Sequence, residues 1–392
     1  MIILGIETSC DETAAAVLHI KNGCFRVLSN VVSSSVELQA KYGGVVPEVA
    51  ARKQVEYIIP VLGQALKEDT RYKIQDTKNS QFSIPNFQFI DYIAVTNGPG
   101  LITSLRVGVE AGRTLSYVWN KPLILVDHLE GHIYANAISN FQFPISNKIP
   151  NNNFQKLREI KFPALILIVS GGHTQLVLMK DYLKYKIIGE TKDDAAGEAF
   201  DKAAKMMNLG YPGGPEIARL AKKGDPLKID MPRPMINSGD YNFSFSGIKT
   251  AVFYKMKERR INPHTKRSCM VDGFKSSHQK TFGVRIKKQD MCASFQKACV
   301  EVLVSKTLKA AQEFKVKTIL LGGGVAANER LRDLLKKEVS DRLDKVELFL
   351  PDIKMTGDNA VMIALAGYYK IKAGKLNDWR KVKTDANLRL GR

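Results

Sequence analysis

The sequence predicts an α/β protein made of two related lobes, and three stretches carry that expectation. "MIILGIETSCDETAAAVLHI" reads as an apolar strand, a small polar turn and a second apolar strand. "PALILIVSGGHTQLVLMK" repeats the plan, with Ser170, Gly171, Gly172, His173 and Thr174 in its turn. "KTILLGGGVAANERLRDLLKK" is a buried strand, a glycine turn and an amphipathic helix. Strands alternating with helices define the α/β class. The doubled strand–turn–strand unit points to two related lobes, and 392 residues exceed what one small core needs.

Composition narrows the function classes. Hydrophobic residues make up 44%, as in ordinary globular chains, and no apolar run approaches the roughly twenty residues of a membrane span. The opening "MIILGIETSCDET" has no basic region before its apolar run, so it does not read as a signal peptide. Cys10, Cys24, Cys269, Cys292 and Cys299 form an odd set without a CxxC pair, which fits a reduced cytoplasmic protein and no cysteine zinc site. A formal net charge of +20 favours a polyanionic partner, nucleic acid above all.

Three segments read as insertions. Residues 71–89 and 139–161 are rich in Asn, Gln, Ser and Pro, and about 255–288 reads as a mobile basic loop, with eleven Lys and Arg against Glu258 and Asp272. The expected division is an N-terminal lobe, 1–138, and an inserted linker, 139–161. A C-terminal nucleotide-binding lobe, 162–357, follows, and then a helix and tail, 358–392, that pack back on the first lobe.

The turns and one helix carry the chemistry. Glycine turns after buried strands let backbone N–H groups approach an anion, so "SGGHT" and "LGGGVAAN" are candidate phosphate and nucleotide contacts. Neither matches a Walker A loop or GxGxxG. In "VDHLEGHIYAN", Asp127 can cap a helix beginning at His128, with Glu130 completing a capping box. His128 and His132 then share one face, and Gly131 is expected to leave the surface beside them open. Two such imidazoles either bind a metal with a third ligand from elsewhere or are ordinary helix-surface histidines.

Eight motifs in order resemble one family: "GIETSCDETAAAV", "NGPGLITSLRVG", "DHLEGHIYAN", "VSGGHTQL", "GEAFDKAAKMMNLGYPGGP", "NFSFSGIKTAV", "LGGGVAANERLR" and "TGDNAVMIA". It is the TsaD-type tRNA N6-adenosine threonylcarbamoyltransferases, and the likeness spans nearly the whole chain outside the insertions. The resemblance implies a two-lobed actin-like ATPase (ribonuclease-H-like) fold with duplicated lobes. It also implies transfer of threonylcarbamoyl from threonylcarbamoyl-adenylate to N6 of the adenosine just 3′ of the anticodon (position 37), with AMP released. The tRNAs would be those reading codons that start with A.

By the same resemblance, His128, His132 and Asp358 would hold one divalent metal per subunit, iron(II) or zinc. Val169, Ser170, Gly171, Gly172 and His173 would line the carbonyl and phosphate region, with N–H groups facing the oxyanion. Asp201 would bind ribose, Gly214 would let the nucleotide approach the backbone, and Asn328 would contact adenine. Asp11 and Glu12 would face the donor. Implied partners are the tRNA anticodon arm and either a paralogous scaffold with a P-loop ATPase or a second copy of the chain. Ala218 and Asn242 stand where many relatives carry acids, which removes a ribose contact and a charge near the expected tRNA site.

Rival readings fare worse. A zincin peptidase needs HExxH, and here Leu129 follows the first histidine. A non-catalytic paralogous scaffold would be expected to lose the metal triad, and a sugar kinase or chaperone ATPase would lack HxxxH and "YPGGP".

Overall fold

A computed structural model of the chain describes residues 1–67, 89–138, 154–261 and 287–391. Residues 71–88, 139–153 and 262–286 of the expected insertions therefore lie outside the described residues.

The first sheet opens with an antiparallel meander, β1 (Ile2–Glu7), β2 (Glu12–Lys21) and β3 (Cys24–Ser34). Helices α1 (Val36–Tyr42) and α2 (Pro47–Lys67) follow. Strand β4 (Tyr92–Gly98) then joins β1 in parallel, α3 (Ile102–Trp119) crosses over, and β5 (Leu123–Asp127) joins β4 in parallel. Helix α4 (His128–Tyr134) starts where β5 ends, and β6 (Gln155–Lys156) edges β3.

The second sheet repeats this. Strands β7 (Ala164–Val169), β8 (Thr174–Asp181) and β9 (Lys184–Glu190) form the meander. After α5 (Ala196–Met206), α6 (Gly213–Ala221), α7 (Ser246–Ile261) and α8 (Lys288–Glu313), β10 (Thr318–Gly322) joins β7 in parallel. Helix α9 (Glu329–Arg342) crosses over to β11 (Glu347–Phe349), and α10 (Ala360–Lys372) is the last helix. The sheet orders are β5-β4-β1-β2-β3-β6 and β11-β10-β7-β8-β9. Without β6 they are the same pattern, so the lobes are topological duplicates.

Apolar residues on both faces of the strands explain the layering. Along β7, Leu165, Leu167 and Val169 enter the core of the second lobe. Ala164, Ile166 and Ile168 enter a core shared with β2, α4 and α10. Helices α4 and α10 are therefore packed between the sheets. A Cβ on Gly5 of β1 would lie 2.2 Å from the Ala360 carbonyl oxygen, and one on Gly367 would lie 2.7 Å from Ala94 Cβ. These approaches seat α10, and with it Asp358, against the first sheet. Gly5→Ala is expected to destabilise the protein by about 3 kcal/mol, the upper range of overpacking costs, because a backbone carbonyl must move. Urea unfolding checks this, and unchanged stability would disprove the close approach.

Several sequence expectations change. Residues 154–161 are not a free linker: β6 pairs with β3, and Ile160 is buried. The basic stretch is helical at both ends, since Lys255 and Lys257 continue α7 and Lys288 opens α8. Ile248 and Val252 anchor the first half of α7 in the core and carry the helix onward. The tail holds the first lobe, where Asp385 N–H donates to the Asn97 carbonyl at 2.8 Å. It ends on the second, where Arg389 pairs with Glu190 at 2.7 Å.

Candidate metal centre and nucleotide cavity

Helix α4 begins as its sequence requires. The Asp127 carboxylate accepts from the Leu129 N–H at 2.8 Å, and Glu130 accepts from the Asp127 N–H at 3.3 Å. All seven residues of α4 are buried, so the histidines are not on an exposed face. Gly131, expected to leave open surface, does the reverse: a Cβ there would lie 2.9 Å from Ile363 Cδ1 and 3.0 Å from Met362 Cγ of α10. Its missing side chain lets the two helices meet. At the other end, Asn136 Nδ2 donates to the carbonyls of His132, Ile133 and Leu321, tying α4 to β10.

His128 and His132 converge on Asp358, which lies two residues before α10. Their Nε2 atoms are 3.4 and 3.3 Å from the same Asp358 Oδ1. The three ligand-type atoms lie within 4.8 Å of one another, the one such group of three among the described residues. Two imidazoles and a carboxylate with an open side fit a first-row divalent ion. Burial works against a charged Asp358, but His128 and then His132 outweigh it and hold the carboxyl far below its usual range. His128 Nδ1 faces away from Asp358, 3.1 Å from Glu7 Oε2 and 3.1 Å from Ser9 Oγ. Sequence reasoning missed Glu7, because a single acid ending an apolar strand carries no local signal of its partner.

The first turn lies beside this cluster. Burial, then Asp358 and Asp11, push the Glu12 carboxyl up to about 10. Asp11 also acts across the lobes, since its charge helps burial raise Asp201. Burial, then the charges of His128 and His132, push His173 down to about 4.

The "VSGGH" turn is partly occupied by its own bonds. Val169 is fully buried at the end of β7. Ser170 N–H donates to the His173 carbonyl at 2.8 Å, and the His173 N–H donates to Ser170 Oγ at 3.0 Å. This turn leaves the N–H groups of Gly171 and Gly172 as its outward donors.

A cavity of ≈ 740 Å³ in the second lobe brings Gly171, Asp201, Gly214, Ala218 and Asn328 together. Two of these also have structural work. Asp201 Oδ1 accepts from the Gly213 N–H at 2.7 Å, holding the start of α6. Asn328 Oδ1 caps α9 through the Leu331 N–H at 3.0 Å, while its Nδ2 donates to Gln296 Oε1 at 2.9 Å. Glu216 pairs with Arg219 at 2.7 Å and is not in the cavity lining, so it does not replace the acid absent at Ala218. Asn242 is held by Asp240 and by the Glu190 N–H.

Duplicated lobes, a cavity in one and a His–His–Asp cluster between them define a two-lobed actin-like protein. Full-length HypF in its phosphate- and nucleotide-bound form has this fold, with a TM-score of 0.54 at 12% identity, covering 96% of this chain and 56% of that one. HypF from T. kodakarensis gives 0.53 at 15% identity, over 95% of this chain and 48% of that one. This chain thus spans about half the length of those proteins.

The family model for TsaD, tRNA N6-adenosine threonylcarbamoyltransferase, matches residues 26–365. The enzyme of that name from Anoxybacillus flavithermus is 44% identical over 96% of this chain and 93% of its own length. The one from Bacillus subtilis is 43% identical over 95% and 92%. The chain belongs to the TsaD family, and its enzyme class is acyl transfer.

Proposed function

We propose that the protein transfers a threonylcarbamoyl group from threonylcarbamoyl-adenylate to N6 of the adenosine 3′ of the anticodon, at position 37 of tRNAs reading codons that begin with A. AMP is the other product. The observation that carries this reading is the His128–His132–Asp358 cluster, together with a cavity of ≈ 740 Å³ in the second lobe, in a chain of this family.

His128, His132 and Asp358 would hold one divalent ion per subunit, iron(II) by preference, with zinc fitting the same ligands. When bound, it supplies Lewis acidity toward the donor's carbonyl region. Asp201 and Asn328 anchor the adenylate, and Gly214 permits its close approach. The N–H groups of Gly171 and Gly172 stabilise charge that develops on the carbonyl oxygen. The N6 amine attacks the carbamoyl carbon, the bond to the phosphate oxygen breaks, and AMP leaves with the electron pair. Asp11 and Glu12, at the turn between β1 and β2, face the donor, and one of these two carboxylates receives the amine proton. We divide the chain at 138, 161 and 357 as expected from its sequence, with β6, which edges the first sheet, near the end of the second segment, and place it in the cytoplasm. Among the described residues no helix is long and apolar enough to cross a membrane. A paralogous scaffold with a P-loop ATPase, or a second copy of this chain, would complete the working assembly on the tRNA anticodon arm.

The test is incubation of purified protein, threonylcarbamoyl-adenylate and unmodified tRNA, with nucleosides read by mass spectrometry. No modified adenosine, with candidate helpers present, overturns the reading. The cavity assignment has its own check. Asp201→Ala and Asn328→Ala should each weaken AMP binding by about tenfold to a hundredfold, the loss of a bond to a buried polar group. Asn328→Ala should also cost about 1 kcal/mol of stability through its lost cap, whereas Asn328→Asp keeps the cap and isolates the effect on AMP. Calorimetry showing parental AMP affinity in Asp201→Ala and Asn328→Ala excludes this placement.

A further inference from the structure

We infer that Glu7 is the positioning residue of the metal centre: it fixes the tautomer of His128 and supplies a second negative charge without ligating the ion. This rests on the proposed metal reading.

Parallel strands β1, β4 and β5 end on one edge of the first sheet, and that edge brings Glu7, Thr96 and His128 together. Glu7 is fully buried, a costly place for a carboxylate unless each oxygen is satisfied. Both are. Glu7 Oε1 accepts from the Ser9 N–H at 2.5 Å, and Oε2 accepts from Thr96 Oγ at 2.5 Å. His128 Nδ1 is the third partner, 3.1 Å from Oε2.

An ionised carboxylate only accepts hydrogen bonds. Nδ1 must therefore carry a proton and donate it, which leaves Nε2, the atom that faces Asp358, with its lone pair free for a metal. Ser9 Oγ, also 3.1 Å from Nδ1, is a hydroxyl that donates or accepts, so it fits this tautomer while the carboxylate selects it. Outer partners of this type raise ligand basicity and fix the orientation of the ring. Asp358 and Glu7 together also carry the two negative charges that balance a divalent cation.

Glu7→Gln is the discriminating variant because it is isosteric. An amide puts a donor on one of the two positions. Facing His128 it opposes the Nδ1–H, and facing the Ser9 N–H it leaves only a neutral, weaker acceptor for Nδ1, so the charge-assisted bond is lost either way. A role limited to packing would tolerate it. The experiment titrates Co(II) and Zn(II) into the metal-free full-length protein against a chelator. It also records the 15N–1H signals of the histidine rings in the zinc-loaded form.

Glu7→Gln should bind either ion about 10- to 100-fold more weakly and shift or lose the hydrogen-bonded Nδ1–H signal of His128. Glu7→Asp, which keeps the charge, should recover part of the affinity. Parental affinity and an unchanged Nδ1–H signal in Glu7→Gln overturn the inference. If the parent itself binds neither ion, the metal reading fails instead, and the two failures are thus distinguished. Should the variant not fold, the zinc-loaded parent decides alone: His128 ligating through Nδ1 rather than Nε2 refutes the assignment.

Discussion

Purified protein is expected to carry about one transition-metal ion per chain, and His132→Ala to carry almost none. The geometry makes His132 indispensable. Its Nε2 is one of only three ligand-type atoms in the cluster, and the side chain is almost wholly buried. With one imidazole removed, one nitrogen and one carboxylate remain, too few to retain a divalent ion against dilution. A Lewis acid is worth several kcal/mol to the transition state, and each 1.4 kcal/mol is tenfold in rate, so transfer should fall by at least about 100-fold. The fold should persist. His132 lies at the joint between lobes, and its loss leaves the flanking contacts of Ile133, Tyr134 and Asn136 in place. Elemental analysis, circular dichroism and the nucleoside assay test the three parts. Full transfer by a metal-free His132→Ala protein would sink the catalytic-metal reading.

Much of this centre was legible in the chain because its signals are local. Asp127 and Glu130 flank His128 at capping-box spacing, and the helix starts where they place it. The strand–turn–strand units were readable from their apolar runs, and both sheets have them in the same order. What was not legible depends on distant partners. Gly131 looked like open surface because nothing near it announces α10, which arrives more than two hundred residues later. Glu7 meets Thr96 and His128 only once three parallel strands are aligned. Residues 154–161 have a linker's composition, yet the edge of β3 accepts Gln155 and Lys156 as a short strand. Asp201 and Asn328 were read as ligand contacts, and the sequence did not show that they also hold the starts of α6 and α9. Short polar side chains near glycine turns suit either task, so only the fold reveals the structural one.

The second large effect is expected at Lys370, which holds the two ligand-bearing helices together. Its Nζ lies 2.7 Å from Glu130 Oε2 on α4 and donates to the Leu125 carbonyl on β5 at 3.0 Å. Side-chain exposure is 17% for Lys370 and 8% for Glu130, so the pair is shielded from water. Breaking such a pair by removing one partner costs about 3–5 kcal/mol, because the other charge stays buried and unpaired. Here the cost is sharpened by Asp127, whose carboxyl is already pushed up to about 7 by burial and by Glu130. Lys370→Met should therefore unfold at clearly lower urea, with a loss of about 3 kcal/mol. It should also bind metal more weakly, since Asp358 leads into α10 and α4 carries both histidines. Adding Glu130→Gln removes the orphaned charge while its amide oxygen still accepts from the Asp127 N–H. The double variant should recover more than half of the lost stability and most of the metal. That recovery separates an electrostatic clamp from simple packing of the lysine stem, which the second substitution would not restore. If Lys370→Met is as stable as the parent, the apolar contacts of Gly131, Met362 and Ile363 alone dock the helices, and the clamp is refuted.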